Sequence, residues 1–273
     1  MHDILAHATH HANWGRSLHY AAGIAKILDA SLTGVFVSEP VQPSPLESMA
    51  QFPEFFAFVA EEVRSAQRAE PAFRKWAAGH EVPRARWQVA EGELSAVLAY
   101  VANWHDLLIL ETGTRAPWSS ISELGEVLLT CGVPCLLVPD SYTRTVSVDT
   151  MAIAWNGSVE SIRAIHAAMP LLKRAKRIVL IHGERVAPYS LVDCKPPLNI
   201  EKHLEQHGLD FSKRAITVAP DLVGSELLTA AWEARADMLV MGAYGRARFS
   251  EWIFGGATRH VLEHAKLPVL MRH

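Results

Sequence analysis

Apolar positions along the chain fall into two kinds of run. Short unbroken apolar runs read as strands buried on both faces, and longer stretches with apolar residues three and four apart read as helices. The second half shows this most simply. Residues 150–155 form an apolar run that stops at Asn156-Gly157, a turn signal. A helix is predicted next: Ser158 suits an N-cap, Glu160 falls in the first turn, and Ile162, Ile165, Ala168 and Leu171 recur at helical spacing up to the basic Lys173-Arg174 end. Strands are then predicted over 178–181, 215–218, 238–241 and 269–271, with helices over 199–207, 225–235 and 256–265. Strands that alternate with helices and are apolar throughout predict a parallel sheet covered on both faces.

The first half repeats the order. Strands are predicted over 4–8, 32–37, 87–90, 107–110 and 135–138, and helices over 14–28, 93–104 and about 122–130. Val133-Pro134 precedes one last strand as Leu267-Pro268 precedes the other, an offset of 134, whereas Thr9 and Asn156 after the first strands are offset by 147. The 13 residues of difference fall most simply in 38–79, which carries Pro40, Pro43 and Pro45 and a long helical pattern, and reads as an elaborated loop plus helix. Its Phe52, Phe55, Phe56 and Phe58 are expected to cover a core or a domain contact. The chain is therefore read as two domains, 1–140 and 146–273.

Composition narrows the classes. With 273 residues, 49% hydrophobic and 20% charged, the chain has material for real cores and no disordered or fibrous bias. The longest nearly uncharged apolar stretch, 128–138, is well short of the roughly 18 residues of a membrane span. The start of the chain lacks a basic segment followed by an apolar one, and Cys131, Cys135 and Cys194 are odd in number with no paired spacing. A cytoplasmic protein without membrane partner is expected, its cysteines packing as small apolar residues. Net charge is −3, with 9 basic against 16 acidic residues up to Asp140 (−7) and 17 against 13 after it (+4). That is too mild for duplex nucleic acid, while a small anion in the second half fits.

The most informative segment, 241–258, leaves a strand and enters a helix. Gly242 and Gly245 give backbone freedom and close approach, and Gly255-Gly256 fall where a helix presents unpaired N–H groups and its positive dipole end. Such an end binds anions. Met241 and Ala257 flank this surface, Thr258 offers a hydroxyl, and Arg246 or Arg248 could reach a phosphate or stay solvated. There is no Gly-Lys-Ser/Thr loop and no G-x-G-x-x-G after a first strand.

Gly242-x2-Gly245-x9-Gly255, together with the strand that runs into Asn156-Gly157-Ser158, resembles the universal stress proteins, whose nucleotide-binding members carry G-x2-G-x9-G-(S/T). The resemblance extends over the whole chain as a tandem pair. It implies an α/β fold of two Rossmann-like, adenine-nucleotide alpha-hydrolase-like domains, each a five-stranded parallel sheet of order 3-2-1-4-5 flanked by helices. A ligand then belongs at the switch point. By the same resemblance ATP or ADP, with or without Mg2+, has its adenine and ribose near Ala154, Trp155, Asn156 and Gly183. Its phosphates lie on Gly242, Gly245, Gly255, Gly256 and Thr258. The two domains would pair through their last strands within one chain, and a homodimer could form besides. The implied role is a stress-response binding or signalling module. A slow ATP hydrolase or phosphotransferase, or a protein that works through partner contacts without nucleotide, are the alternatives.

Two positions depart from the pattern: Asn156 stands where the family has Asp, and Gly256 where it has Ser/Thr. In the first half Ile121, Ser122 and Leu124 stand for Gly255, Gly256 and Thr258, and Thr112 and Arg115 for Gly242 and Gly245, so 1–140 is expected not to bind nucleotide in this mode. Other constellations are read structurally. His260, Glu263 and His264 match H-x-x-E-H, but only nine residues follow and the first half has Glu126 and Thr130 there. His7, His10 and His11 lack strict ligand spacing and read as a polar strand end. No G-x-S-x-G elbow occurs. Trp155 and Trp252 are the tryptophans nearest the expected ligand.

Overall fold

The computed structural model describes residues 1–39, 53–114, 116–118, 120–183, 199–243 and 256–273, with side chains from residue 57 onward in the second of these segments. They form two compact units, Met1–Val133 and Pro134–His273.

The first unit contains β1 (Asp3–Ala8), α1 (Arg16–Leu28), β2 (Ser31–Ser38), α2 (Pro53–Arg68), α3 (Glu70–Gly79), β3 (Ala85–Glu91), α4 (Leu94–Ala102), β4 (Leu107–Thr112) and α5 (Ile121–Thr130). Its strands are parallel, in the order β3-β2-β1-β4. All of β4 is buried, its apolar run 107–110 as a central strand requires and with it the polar Glu111 and Thr112 at its end. The long helical pattern before β3 resolves into two helices, α2 and α3. Phe58, expected to be covered, is 66% exposed on α2, because the helix turns its other face inward through Val63 and Ala66. Phe52 and the side chains of Phe55 and Phe56 lie outside the described residues.

The aromatic core of this unit comes instead from α3. Phe73 is fully buried, with its ring 5.1 Å from that of Trp87 on β3 and 5.2 Å from that of Trp14. Trp87 is fixed by its indole N–H, which donates to the Ala66 carbonyl at 2.8 Å. Beneath them Gly34 on β2 is required: a Cβ there would stand 2.8 Å from Trp87 Cε3 and 3.0 Å from Phe73 Cζ. Gly34→Ala is expected to cost about 2 kcal/mol by overpacking, read as a lower denaturant midpoint, and an unchanged midpoint would show that the rings yield freely.

The second unit contains β5 (Cys135–Pro139), β6 (Thr150–Trp155), α6 (Val159–Leu172), β7 (Arg177–His182), α7 (Ile200–Gln206), β8 (Phe211–Ala215), a 3-10 turn (Pro220–Leu222), α8 (Val223–Glu233), β9 (Met238–Gly242), α9 (Gly256–His264) and β10 (Val269–Arg272). The order is β5-β10-β9-β6-β7-β8. Every pair is parallel except β10 with β5, which run antiparallel with Leu270 opposite Leu136. So β5, which the repeat assigns to the first half, lies in the second unit, and the two units hold four and six strands among the described residues rather than five each. Cys131 and Cys135 are buried, and Cys194 lies outside the described residues.

The third strand of the second repeat is displaced from expectation. It was predicted over 215–218 and is found at Phe211–Ala215. At a sheet edge a strand can be polar, and here Lys213 and Arg214 pair with Glu201 and Glu233. The apolar run after it serves a loop: the Ile216 amide donates to the His182 carbonyl at 2.9 Å, Ile216 is buried, and the chain then bends across the end of the sheet. Asp237, buried just before β9, accepts from Arg144 at 3.0 Å, Ser147 Oγ at 2.8 Å and the Thr150 amide at 3.0 Å, and so ties the chain entering β6 to its neighbour strand.

Candidate functional site

At the carboxyl ends of β6, β7 and β9 the chain leaves the sheet in three different ways, and together these open a cleft. After Trp155 it turns sharply: the Asn156 side-chain oxygen accepts from the Ser158 amide at 3.0 Å, Gly157 takes φ +81°, and Ser158 Oγ caps α6 by accepting from the Ser161 amide at 3.1 Å. Asn156 thus spends its oxygen on the turn, which leaves its NH2 as the group able to serve a ligand. After β7, Gly183 lies open, with nothing within 4 Å of a Cβ built on it. At the end of β9, Gly242 lies directly against the first turn of α6, where a Cβ would be 2.6 Å from the Ser161 nitrogen and 2.7 Å from the Glu160 carbonyl carbon.

The far wall is built by α8 and α9. Gly224 lets them touch, since a Cβ there would be 2.6 Å from His260 Cβ and 3.1 Å from the Ala257 carbonyl oxygen. This brings the start of α9 to the cleft with Gly256 exposed, Ala257 half-buried and Thr258 buried. The N–H groups of that first turn have no partner within their own helix.

The cleft has a volume of about 380 Å³, within the range of small-molecule sites. Eight sequence-predicted residues line it: Ala154, Trp155, Asn156, Gly183, Met241, Gly242, Ala257 and Thr258. Gly256 begins α9 beside them. Gly245, Arg246 and Gly255, with Arg248 and Trp252, lie outside the described residues. Sequence reasoning missed the side contributed by Ile216, Thr217, Val218 and Pro220, and the Val223 and Leu227 face of α8. The misplaced third strand hid the first of these. A glycine in the first turn of an amphipathic helix, Gly224, was the available signal for the close α8–α9 approach.

The lining is apolar with hydroxyls and one amide. None of its described side chains is a carboxylate, so the described lining offers Mg2+ no carboxylate ligand. Among the described residues no group of three or more His, Cys, Asp or Glu side chains could hold a metal ion, and no helix is long and apolar enough to cross a membrane. The rings of His260 and His264 stack, centroids 4.3 Å apart.

Residues 148–273 match the model of the Universal stress protein family. This half of the chain belongs to that family. A universal stress protein from Archaeoglobus fulgidus DSM 4304 is similar over 99% of this chain and 97% of its own, at 15% identity and a TM-score of 0.70. A functionally unknown protein from Pseudomonas aeruginosa PAO1 is similar over 100% of this chain and 92% of its own, at 14% identity and a TM-score of 0.60. Both likenesses are of fold. A universal stress protein solved in complex with cAMP covers 46% of this chain and 97% of its own, at 20% identity and a TM-score of 0.33. None of the curated proteins matches the chain.

The universal stress protein domain and the first unit differ at the same sheet edge. Ile4 pairs with Leu107 as Met151, 147 positions on, pairs with Met238. Counting along from these pairs sets His7 in the place of Ala154 and Glu111, not Thr112, in the place of Gly242. Thr112, the residue predicted opposite Gly242, is therefore one position late. Arg115 lies outside the described residues. Where the universal stress protein domain has glycine against a helix, the first unit has the Glu111 carboxylate, which accepts from the Ser17 amide at 3.4 Å at the start of α1. His7 is buried, its ring centroid 6.3 Å from that of Trp118, and burial lowers its pKa to about 4.

Proposed function

We propose that the universal stress protein domain binds an adenine nucleotide and acts as a stress-response binding and signalling module. The observation that supports this reading is the cleft of about 380 Å³ where the strand order turns back between β6 and β9, lined by Gly242 and by the start of α9. A flat base suits the apolar side made by Ile216, Val218 and Leu227, and the Asn156 NH2 with the Gly183 backbone suits a ribose. Phosphates are favoured at the α9 end, where free amides and the helix dipole meet them beside Thr258. In the first unit His7 and Glu111 take up the corresponding positions with their own side chains, so this unit is read as a structural or regulatory partner without nucleotide.

Chromatography of the supernatant after denaturing the purified chain tests the proposal, with adenine nucleotide expected in it. Ala257→Glu should empty the site. A carboxylate in the first turn of α9 suits the helix dipole and leaves folding intact, yet it repels phosphate, and a tenfold or greater loss of affinity is expected. Equal nucleotide content in the variant would count against the phosphate placement.

A further inference from the structure

We propose that the second unit carries a second small-molecule site, at the amino ends of β9 and β10, that takes a flat aromatic anion: a ring stacked on Trp232 with its acid group held by Arg235 and Lys266. A cleft of about 800 Å³ opens there between the last turns of α8, the turn into β9 and the segment after α9. Leu228 and Leu267 give it an apolar floor, while the Trp232 indole is 76% exposed. An indole left in water is a large surface to cover, and tryptophan and arginine are enriched among the residues that carry binding energy at protein interfaces.

Arg235 is the second observation. It occupies the left-handed position that ends α8, at φ +52°, with its amide bonded to the Trp232 carbonyl and the Ala236 amide to the Ala231 carbonyl. Glycine is the residue this helix end prefers, so an arginine there is held against a local preference. The other described non-glycine residues with positive φ are Asp29 and Glu81, and each makes an ion pair, with Arg84 and Lys26. Arg235 makes none among the described residues, and neither does Lys266.

The local acids do not claim them. Glu233 pairs with Arg214, and Asp237 accepts from Arg144 and Ser147. Capping α8 is not their duty either, because the Ala234 carbonyl accepts from the Arg177 guanidinium. Two cations beside an open indole, with the neighbouring carboxylates neutralised, form a site for a ring that carries a phosphate or carboxylate, which a guanidinium can hold through two N–H groups.

Calorimetric titration of the full chain with 1-naphthyl phosphate tests this. Trp232→Ala and Arg235→Gly should each weaken binding at least tenfold, while Arg163→Ala on α6, which also removes one exposed positive charge, changes it less than twofold. Glycine relieves the left-handed backbone, so Arg235→Gly should melt no lower than the parent chain and its loss of binding cannot come from unfolding. The proposal is overturned if the probe does not bind, if both variants bind it as the parent does, or if Arg163→Ala weakens it equally.

Discussion

Replacing Gly242 by alanine is expected to destabilise the second unit by about 3 kcal/mol, or about 10 °C in melting temperature for a chain of this length. The cause is local. A methyl group on Gly242 would press on main-chain atoms of Ser161 and Glu160, at 2.6 and 2.7 Å, not on the movable end of a side chain. Relief requires α6 to lift from β9, which breaks the capped first turn at Ser158 and opens the floor of the cleft. Gly183→Ala is the matched control. It adds the same methyl where nothing lies within 4 Å, and should change stability by less than about 0.5 kcal/mol. Equal melting of the two variants would mean that Gly242 does not set the distance between α6 and β9.

The second large effect is a loss of stability in acid that traces to His7. Its ring is buried and its pKa lies near 4, against 6.5 for the ordinary group. Above pH 6.5 the imidazole is neutral whether the chain is folded or not, and it contributes nothing to pH dependence. As pH falls below 6.5 the unfolded chain takes up a proton that the folded chain refuses, so stability declines until pH 4, by about 3 kcal/mol at 1.36 kcal/mol per pKa unit. His7→Leu fills similar space without a titrating group, and the Ser17 Oγ bond to the backbone carbonyl of residue 7 is kept. Urea midpoints of the two proteins between pH 7 and pH 4 should diverge by that amount in favour of the variant at low pH, with the carboxylates cancelling in the difference. Parallel pH profiles would place the acid sensitivity elsewhere.

The sequence disclosed those features that local physics dictates. Ser158 was legible as an N-cap, and it caps α6. The apolar runs around Ile153 and Val240 were legible as central strands because a strand covered on both faces has no polar positions. β8 was misplaced for the converse reason: an edge strand is free to be Phe-Ser-Lys-Arg-Ala, and the apolar Ile216-Thr217-Val218 run beside it belongs to the cleft. The glycine at the end of β9 could be picked out, but its use could not. Gly242 was read as room for a ligand, and the structure adds that it is also room for α6. Val223 and Leu227 went unremarked because their role depends on the approach of α9, a contact between segments that no local pattern encodes. His7 and Glu111 were readable as residues but not as fillers of the first unit's sheet edge, since that follows from strand register.

The central claim is that nucleotide belongs to the second unit and not to the first, and the stoichiometry of ATP binding to the full chain tests it most directly. Isothermal titration should give one ATP bound per chain. No binding, or two equivalent sites per chain, would contradict it.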